Sequence, residues 1–259
     1  MEAYRLTFQF LTILAVLFAL LLGGPVWAAP PTVNFTANRT LGGPNLSVSF
    51  ADQSVATTPP ITAWSWDFGD SGTSTQQNPV HTYTLPGSYA VTLTVTTSEG
   101  TFPLAKTAYI HIADTSDLAS GAIDLASATI VTNPGTLPNA EAKAAEILSE
   151  EVQKRTGLSW SVTSTWPGSG LVIALTSQTG YPGLGAEGYR LFVEEGSPGA
   201  DIVWVIGADA RGTMYGAGKL LRSLTWGTSS ASLSAAPNVT TTPAYPLRGH
   251  QMSYGNTNN

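Results

Sequence analysis

The chain contains no cysteine. Disulfides and thiolate metal sites are therefore excluded, and any folded domain must be held by its buried surface alone. Charge is scarce as well: only 11% of residues are Asp, Glu, Lys or Arg, and they sum to −6. An acidic chain repels a phosphate backbone, which argues against a nucleic-acid partner. There are 3 histidines, and His81 has no second His or Cys at ligand spacing. It reads as a packed strand histidine, and His111 as an isolated structural one. G-x-S-x-G, H-E-x-x-H and Walker patterns are missing. Gly183 to Gly188 spells G-x-G-x-x-G, but a strand pattern follows it where a dinucleotide site needs a helix, so it reads as a loop. No cofactor is implied.

What is present is a 42% hydrophobic chain of 259 residues, enough for one large or two small cores. Abundant Thr, Ser, Gly, Pro and Ala point to β-rich extracellular modules. Residues 1–29 stand apart: Arg5, then the apolar run Leu11 to Leu22, then Gly23-Gly24-Pro25 and the small residues of Val26-Trp27-Ala28. This is the pattern of a secretory signal cut after Ala28 or Ala29. The run is short for a membrane span, so the expectation is a secreted or cell-surface protein with no membrane contact after cleavage. Asn34, Asn38, Asn45 and Asn238 lie in N-x-S/T sequons.

From 31 to 113, short runs alternate with turn residues. Val33/Phe35/Ala37, Leu46/Val48/Phe50, Trp64/Trp66/Phe68, Tyr89/Val91/Leu93/Val95 and Tyr109-Ile110/Ile112 are the period-two sets. Such runs at near ten-residue spacing predict a β-sandwich. Trp64-Ser65-Trp66-Asp67-Phe68-Gly69-Asp70, then Asn78-Pro79-Val80-His81-Thr82-Tyr83, then Pro86-Gly87-Ser88-Tyr89-Ala90-Val91-Thr92-Leu93-Thr94-Val95 follow in order. Together these motifs resemble the signature of the PKD domain, an Ig-like all-β module that serves as a spacer or binding module. Ser71 stands where that family often has glycine, which should alter a turn and leave the fold. Asp67 and Asp70 flank Gly69 and have two readings. As a calcium site they supply too few oxygens unaided; as acceptors for backbone N–H groups in a tight turn they need no ion, and this reading is preferred. Trp66 is expected in the core; Trp64 is open between burial and contact with a glycan. Tyr83 and Tyr89 bracket a Pro-Gly turn they can brace.

Residues 114–125 are small and polar and read as a linker. From 126 to 242 the pattern turns to mixed α and β. A short strand at Ala128 to Val131 precedes a helix expected from an Asn139 cap to Thr156, with Gly157 ending it. Its inner stripe would be Ala144, Ile147 or Leu148, and Val152, with Glu150 and Lys154 paired outside. Strands are predicted at 158–163, 171–176, 189–193 and 202–206. Asp209 should cap a second helix, 210 to about 224, with Met214, Ala217, Leu221 and Leu224 inward. Its glycines make sense if the helix backbone lies close on a sheet.

Glu187-Gly188-Tyr189-Arg190-Leu191, Ala210-Arg211-Gly212 with Tyr215-Gly216, and Leu220-Leu221 resemble the small α+β domain that precedes the catalytic barrel in family 20 β-N-acetylhexosaminidases and family 67 α-glucuronidases. That resemblance implies a mainly antiparallel sheet with two helices. Residues 243–259, with Pro246-Leu247-Arg248-Gly249-His250, resemble the lead-in to the first barrel strand. By that match Arg248 is a candidate substrate-binding residue; the plain alternative is a surface or interdomain ion pair. His250-Gln251-Met252 departs from the usual family 20 wording, which puts N-acetylhexosamine specificity in question. A barrel needs about 250 further residues. The adjacent pairs Glu150-Glu151 and Glu194-Glu195 diverge and cannot flank one glycosidic bond; they read as solvated faces. The expectation is therefore the non-catalytic N-terminal part of a secreted glycoside hydrolase, reaching a polysaccharide or glycoconjugate through a barrel not among these residues, with no catalytic residue of its own. The alternative is a non-enzymatic extracellular binding or adhesion protein.

Overall fold

The computed structural model describes residues 29–56, 58–196 and 200–243. The expected signal segment and Arg248 fall outside these residues.

The first domain is a sandwich. Its strands are β1 (Phe35–Ala37), β2 (Leu41–Gly42), β3 (Leu46–Asp52), β4 (Ala63–Asp67), β5 (Thr73–Ser74), β6 (Val80–Tyr83), β7 (Gly87–Thr97) and β8 (Gly100–Ile112). One sheet runs β1-β3-β6 and the other β2-β8-β7-β4-β5. Strand alternation sends Phe35, Val48, Phe50, Trp66, Val91, Leu93 and Val95 between the sheets, where each is at least 98% buried. Phe35 meets Trp66 edge-on at 5.2 Å, and the buried indole Nε1 donates to Gln76 O at 2.9 Å. The two tyrosines brace turns: Tyr83 donates to Phe68 O, and Tyr89 to Leu85 O.

The second domain contains β9 (Ile123–Asp124), β10 (Thr129–Thr132), α1 (Asn139–Thr156), β11 (Ser161–Thr163), β12 (Val172–Ser177), β13 (Tyr189–Glu194), β14 (Ile202–Gly207), α2 (Ala210–Ser223), β15 (Leu224–Gly227), β16 (Ser230–Leu233) and β17 (Asn238–Thr241). Its main sheet has the order β11-β10-β12-β14-β13-β17. The sheet is mixed, which corrects the expected mainly antiparallel arrangement: β11-β10, β10-β12 and β12-β14 are parallel, while β14-β13 and β13-β17 are antiparallel. The cause is α1, which returns the chain as a crossover so that β11 runs beside β10 in the same sense. A small β15-β16-β9 sheet closes one end.

Both helices lie on one face of the main sheet. From α1, Ala144, Leu148 and Val152 are buried there, and Gly157 ends the helix at φ 79°. Asn139 is its first helical residue, not its cap; Pro138 precedes the helix in extended conformation and its carbonyl seeds the first turn. The ion pairs of α1 among the described residues are Lys143–Glu146 and Glu151–Arg155, in place of the expected Glu150–Lys154. Asp209 does cap α2, accepting from Gly212 N at 2.8 Å. The buried face of α2 is Gly212, Thr213, Gly216, Ala217 and Leu220, rotated from the expected stripe so that Met214 and Leu221 sit at its margin. The glycines explain the rotation. A Cβ at Gly212 would lie 2.2 Å from Gly188 O, and one at Gly216 2.6 Å from Val205 Cγ1. Only a bare backbone allows that approach.

The opposite face of the sheet is equally apolar. Alternate residues of one strand enter different cores: Ile173, Leu175, Val203 and Val205 face the helices, whereas Val172, Ala174, Trp204 and Ile206 face away. Leu41 and Ala113 of the first domain complete that second cluster.

Candidate functional site

The region where polar, aromatic and titratable groups converge is the junction between the two domains. The chain from Arg39 to Pro44, around β2, is inserted against the ends of β10 and β12. Asn133, just after β10, accepts from Thr40 N at 3.0 Å and Leu41 N at 3.2 Å, and donates to Thr176 Oγ1 at 2.7 Å. Gln178, just after β12, accepts from Gly43 N at 2.7 Å and donates to Pro44 O at 3.0 Å. The Arg39 guanidinium donates to Ser177 O. Thr40, Asn133, Thr176 and Gln178 are all buried. Each amide thus serves backbone groups of the other domain that would otherwise be desolvated without partners.

A second seam runs along the far end of β13. Glu194 accepts from Asp114 N at 3.0 Å and from Trp204 Nε1 at 2.7 Å. It is therefore bound at the junction, which corrects its reading as a solvated face; burial raises its pKa against the hydrogen bonds it accepts. The segment expected as a linker is tied down beside it. Ala119 N donates to Val193 O, Glu195 N to Asp117 O, and Ile123 and Leu125 enter the helix-side core. Its small polar residues suit an extended run along a sheet edge as well as they suit a free connection. His111 closes the junction: its ring stacks on Trp166 at 3.7 Å, its Nε2 donates to Ala108 O at 2.8 Å, and burial lowers its pKa to about 4. At the other side lies Glu141, 2% exposed, accepting from Ser177 Oγ at 2.7 Å. Burial raises its pKa, partly countered by Ser177 and by Arg39.

The other candidates lie elsewhere. Asp67 Oδ1 accepts from Gly69 N, and Asp70 Oδ1 from Gly72 N, while Asp70 Oδ2 meets His81 Nε2 at 2.8 Å. Burial pushes the Asp70 carboxyl up, but His81 and the Gly72 N–H outweigh it and hold it low. His81 in turn stacks on Phe68 at 4.2 Å. These contacts brace the turn, and Ser71 adopts φ 74°, the left-handed conformation that glycine takes at lower cost. Trp64 is half-buried and donates to Asp52 Oδ2 at 2.7 Å. Glu150 and Glu151 lie on the outside of α1, away from the junction. Among the described residues no cluster of three or more metal-ligating side chains occurs.

Sequence reasoning quoted Glu187 only within a family motif and gave it no role of its own. It is 5% exposed, holds φ 59°, and shares Arg211 through one carboxylate oxygen while the other has no partner. Its own N–H donates to Asp209, the cap of α2, so loop and helix are tied together.

An Ig-like sandwich clamped to a mixed sheet with helices on one face defines a two-module chain. The chain carries a PKD domain, whose family model matches residues 28–112, followed by glycosyl hydrolase family 20, domain 2, whose model matches residues 115–239. The pre-pro-metalloprotease PrtV of Vibrio cholerae serotype O1 is 36% identical over 98 residues, covering 32% of this chain and 11% of that protein. A microbial collagenase of Vibrio alginolyticus is 43% identical over 72 residues, covering 27% of this chain and 9% of its own. The chain therefore spans about a tenth of these curated relatives. The PKD1 domain of the V. cholerae metalloprotease PrtV, a solved structure, is 33% identical, with a TM-score of 0.29 over 33% of this chain and 100% of that one. Among the described residues no helix is long and apolar enough to cross a membrane.

Proposed function

We infer that the chain is the non-catalytic part of a secreted carbohydrate-active hydrolase, supporting a catalytic barrel that these residues do not contain. The observation that carries the reading is the match of residues 115–239 to domain 2 of glycosyl hydrolase family 20. The leader pattern of residues 1–29 supports export. The clamped junction gives the PKD domain a defined task in this reading: it covers the sheet face that the helices leave open and holds the second domain rigid from behind. Arg248 is the proposed substrate contact that this part contributes, its guanidinium suited to vicinal hydroxyls or a carboxylate.

Two measurements test the reading. The purified chain should not turn over aryl glycosides, because its adjacent carboxylate pairs, Glu150-Glu151 and Glu194-Glu195, diverge and do not flank one glycosidic bond; robust hydrolysis would overturn it. The coding frame beyond Asn259 should encode a barrel with such a pair, and a stop codon there would contradict the supporting role.

A further inference from the structure

Where the PKD domain leaves the sheet uncovered, a groove of about 410 Å³ runs along β13 and β17. Its volume lies within the range of small-ligand sites. Arg190, Asn238 and Thr240 line its floor, and Pro44, Tyr181 and Pro182 stand at its walls. Strand register explains the floor. Arg190 pairs with Thr240 and Phe192 with Asn238, so all four side chains point to the face on which Phe192 joins the interdomain cluster. The walls come from both domains. Pro44 belongs to the PKD domain and is fixed by the Gln178 amide, while Gly43 packs so closely on Tyr181 that a Cβ would lie 2.2 Å from its ring. The groove is therefore a product of domain docking.

Arg190 is the distinctive group. Its guanidinium stacks over the Phe192 ring at 4.9 Å, and no carboxylate pairs with it among the described residues. Stacking holds the planar fork while leaving its N–H edge to bind. In a chain of net charge −6, an arginine without a carboxylate partner beside an amide, a hydroxyl and apolar walls is a receptor for an acidic, hydroxyl-rich ligand.

The geometry points to a uronate-bearing oligosaccharide as the occupant. The fork would take the uronate carboxylate, Asn238 and Thr240 the ring hydroxyls, and the proline and tyrosine walls an apolar sugar face. The choice of a sugar rests on the carbohydrate-active reading above; the groove and its uncommitted arginine do not. Calorimetric titration of the full chain with trigalacturonate, against a neutral galactose trisaccharide, tests it. We expect the uronate to bind and the neutral sugar to bind at least tenfold more weakly. Arg190→Ala should abolish that preference, and Thr240→Val, on an exposed strand position, should weaken binding about threefold with the fold intact. Equal binding of the two sugars, an unchanged affinity in Arg190→Ala, or no uronate binding at millimolar concentration overturns the assignment. Failure here with a barrel encoded downstream removes the groove alone; uronate binding with no barrel downstream removes the supporting role alone.

Discussion

Asn133 holds three groups of two domains with one side chain, and nothing in its sequence neighbourhood, Thr132-Asn133-Pro134-Gly135, indicates more than a turn. Its partners, Thr40 and Leu41, lie about ninety residues earlier, and a contact of that range leaves no periodicity to read. We expect Asn133→Ala to lower unfolding stability by about 2–4 kcal/mol in urea titration, because two buried N–H groups lose their acceptor. A loss below about 1 kcal/mol would mean that water replaces the amide and the junction is looser than described. His111 makes a second residue-scale prediction. Its folded pKa of about 4 lies below the ordinary value of 6.5, so the unfolded chain takes the proton first. The stability it contributes is present above about pH 6.5 and is lost as the pH falls toward 4, by up to about 3 kcal/mol. Glu141 and Glu194 act in the opposite sense, since burial raises their pKa values and their protonated forms favour the folded state. The His111→Phe variant keeps a ring against Trp166 and removes the titration. Its stability relative to the parent should therefore rise between pH 6.5 and 4; a constant difference would contradict the burial of His111.

The elements were legible in proportion to how local their causes are. Asp209 and Gly157 marked helix ends because capping and the left-handed turn are local chemistry. The inner face of α2 was legible only in part: Ala217 and, just past the helix end, Leu224 are buried as expected, but Met214 and Leu221 yield to a glycine stripe whose advantage exists only against the sheet. Paired substitutions test that account. Gly212→Ala should destabilise by about 1–3 kcal/mol, since its Cβ meets Gly188 O at 2.2 Å. Gly218→Ala, whose Cβ approaches only the Arg222 guanidinium at 3.3 Å, should stabilise by about 0.5–1 kcal/mol. Equal effects of the two in thermal denaturation would mean that α2 does not ride on its glycines. The mixed sheet has a similar lesson. Val172-Ile173-Ala174-Leu175 and Val203-Trp204-Val205-Ile206 are continuous apolar runs, the pattern of strands buried on both faces. They carried the information that something besides two helices must cover the sheet.

At the scale of the whole molecule, the cover is the PKD domain. The sandwich and its signature residues were readable from sequence, as was the family of the second domain. Their docking was not, because Leu41, Ala113 and His111 look like ordinary sandwich residues until the second sheet stands beside them. The candidate site was legible only in pieces: Arg248 lies outside the described residues, and Arg190 appeared only as part of a family motif. Docking turns the sandwich and the mixed-sheet domain into one body, and everything proposed for the junction depends on it.

Amide hydrogen exchange tests that directly. Thr40, Leu41 and Gly43 donate to Asn133 and Gln178 across the junction. If the domains form one body, these amides should be protected to within about tenfold of the strand amides of β7, and Asn133→Ala should release Thr40 and Leu41 selectively. Exchange of all three at the rate of an open loop, with β7 and β12 still protected, would show two independent domains and contradict the account.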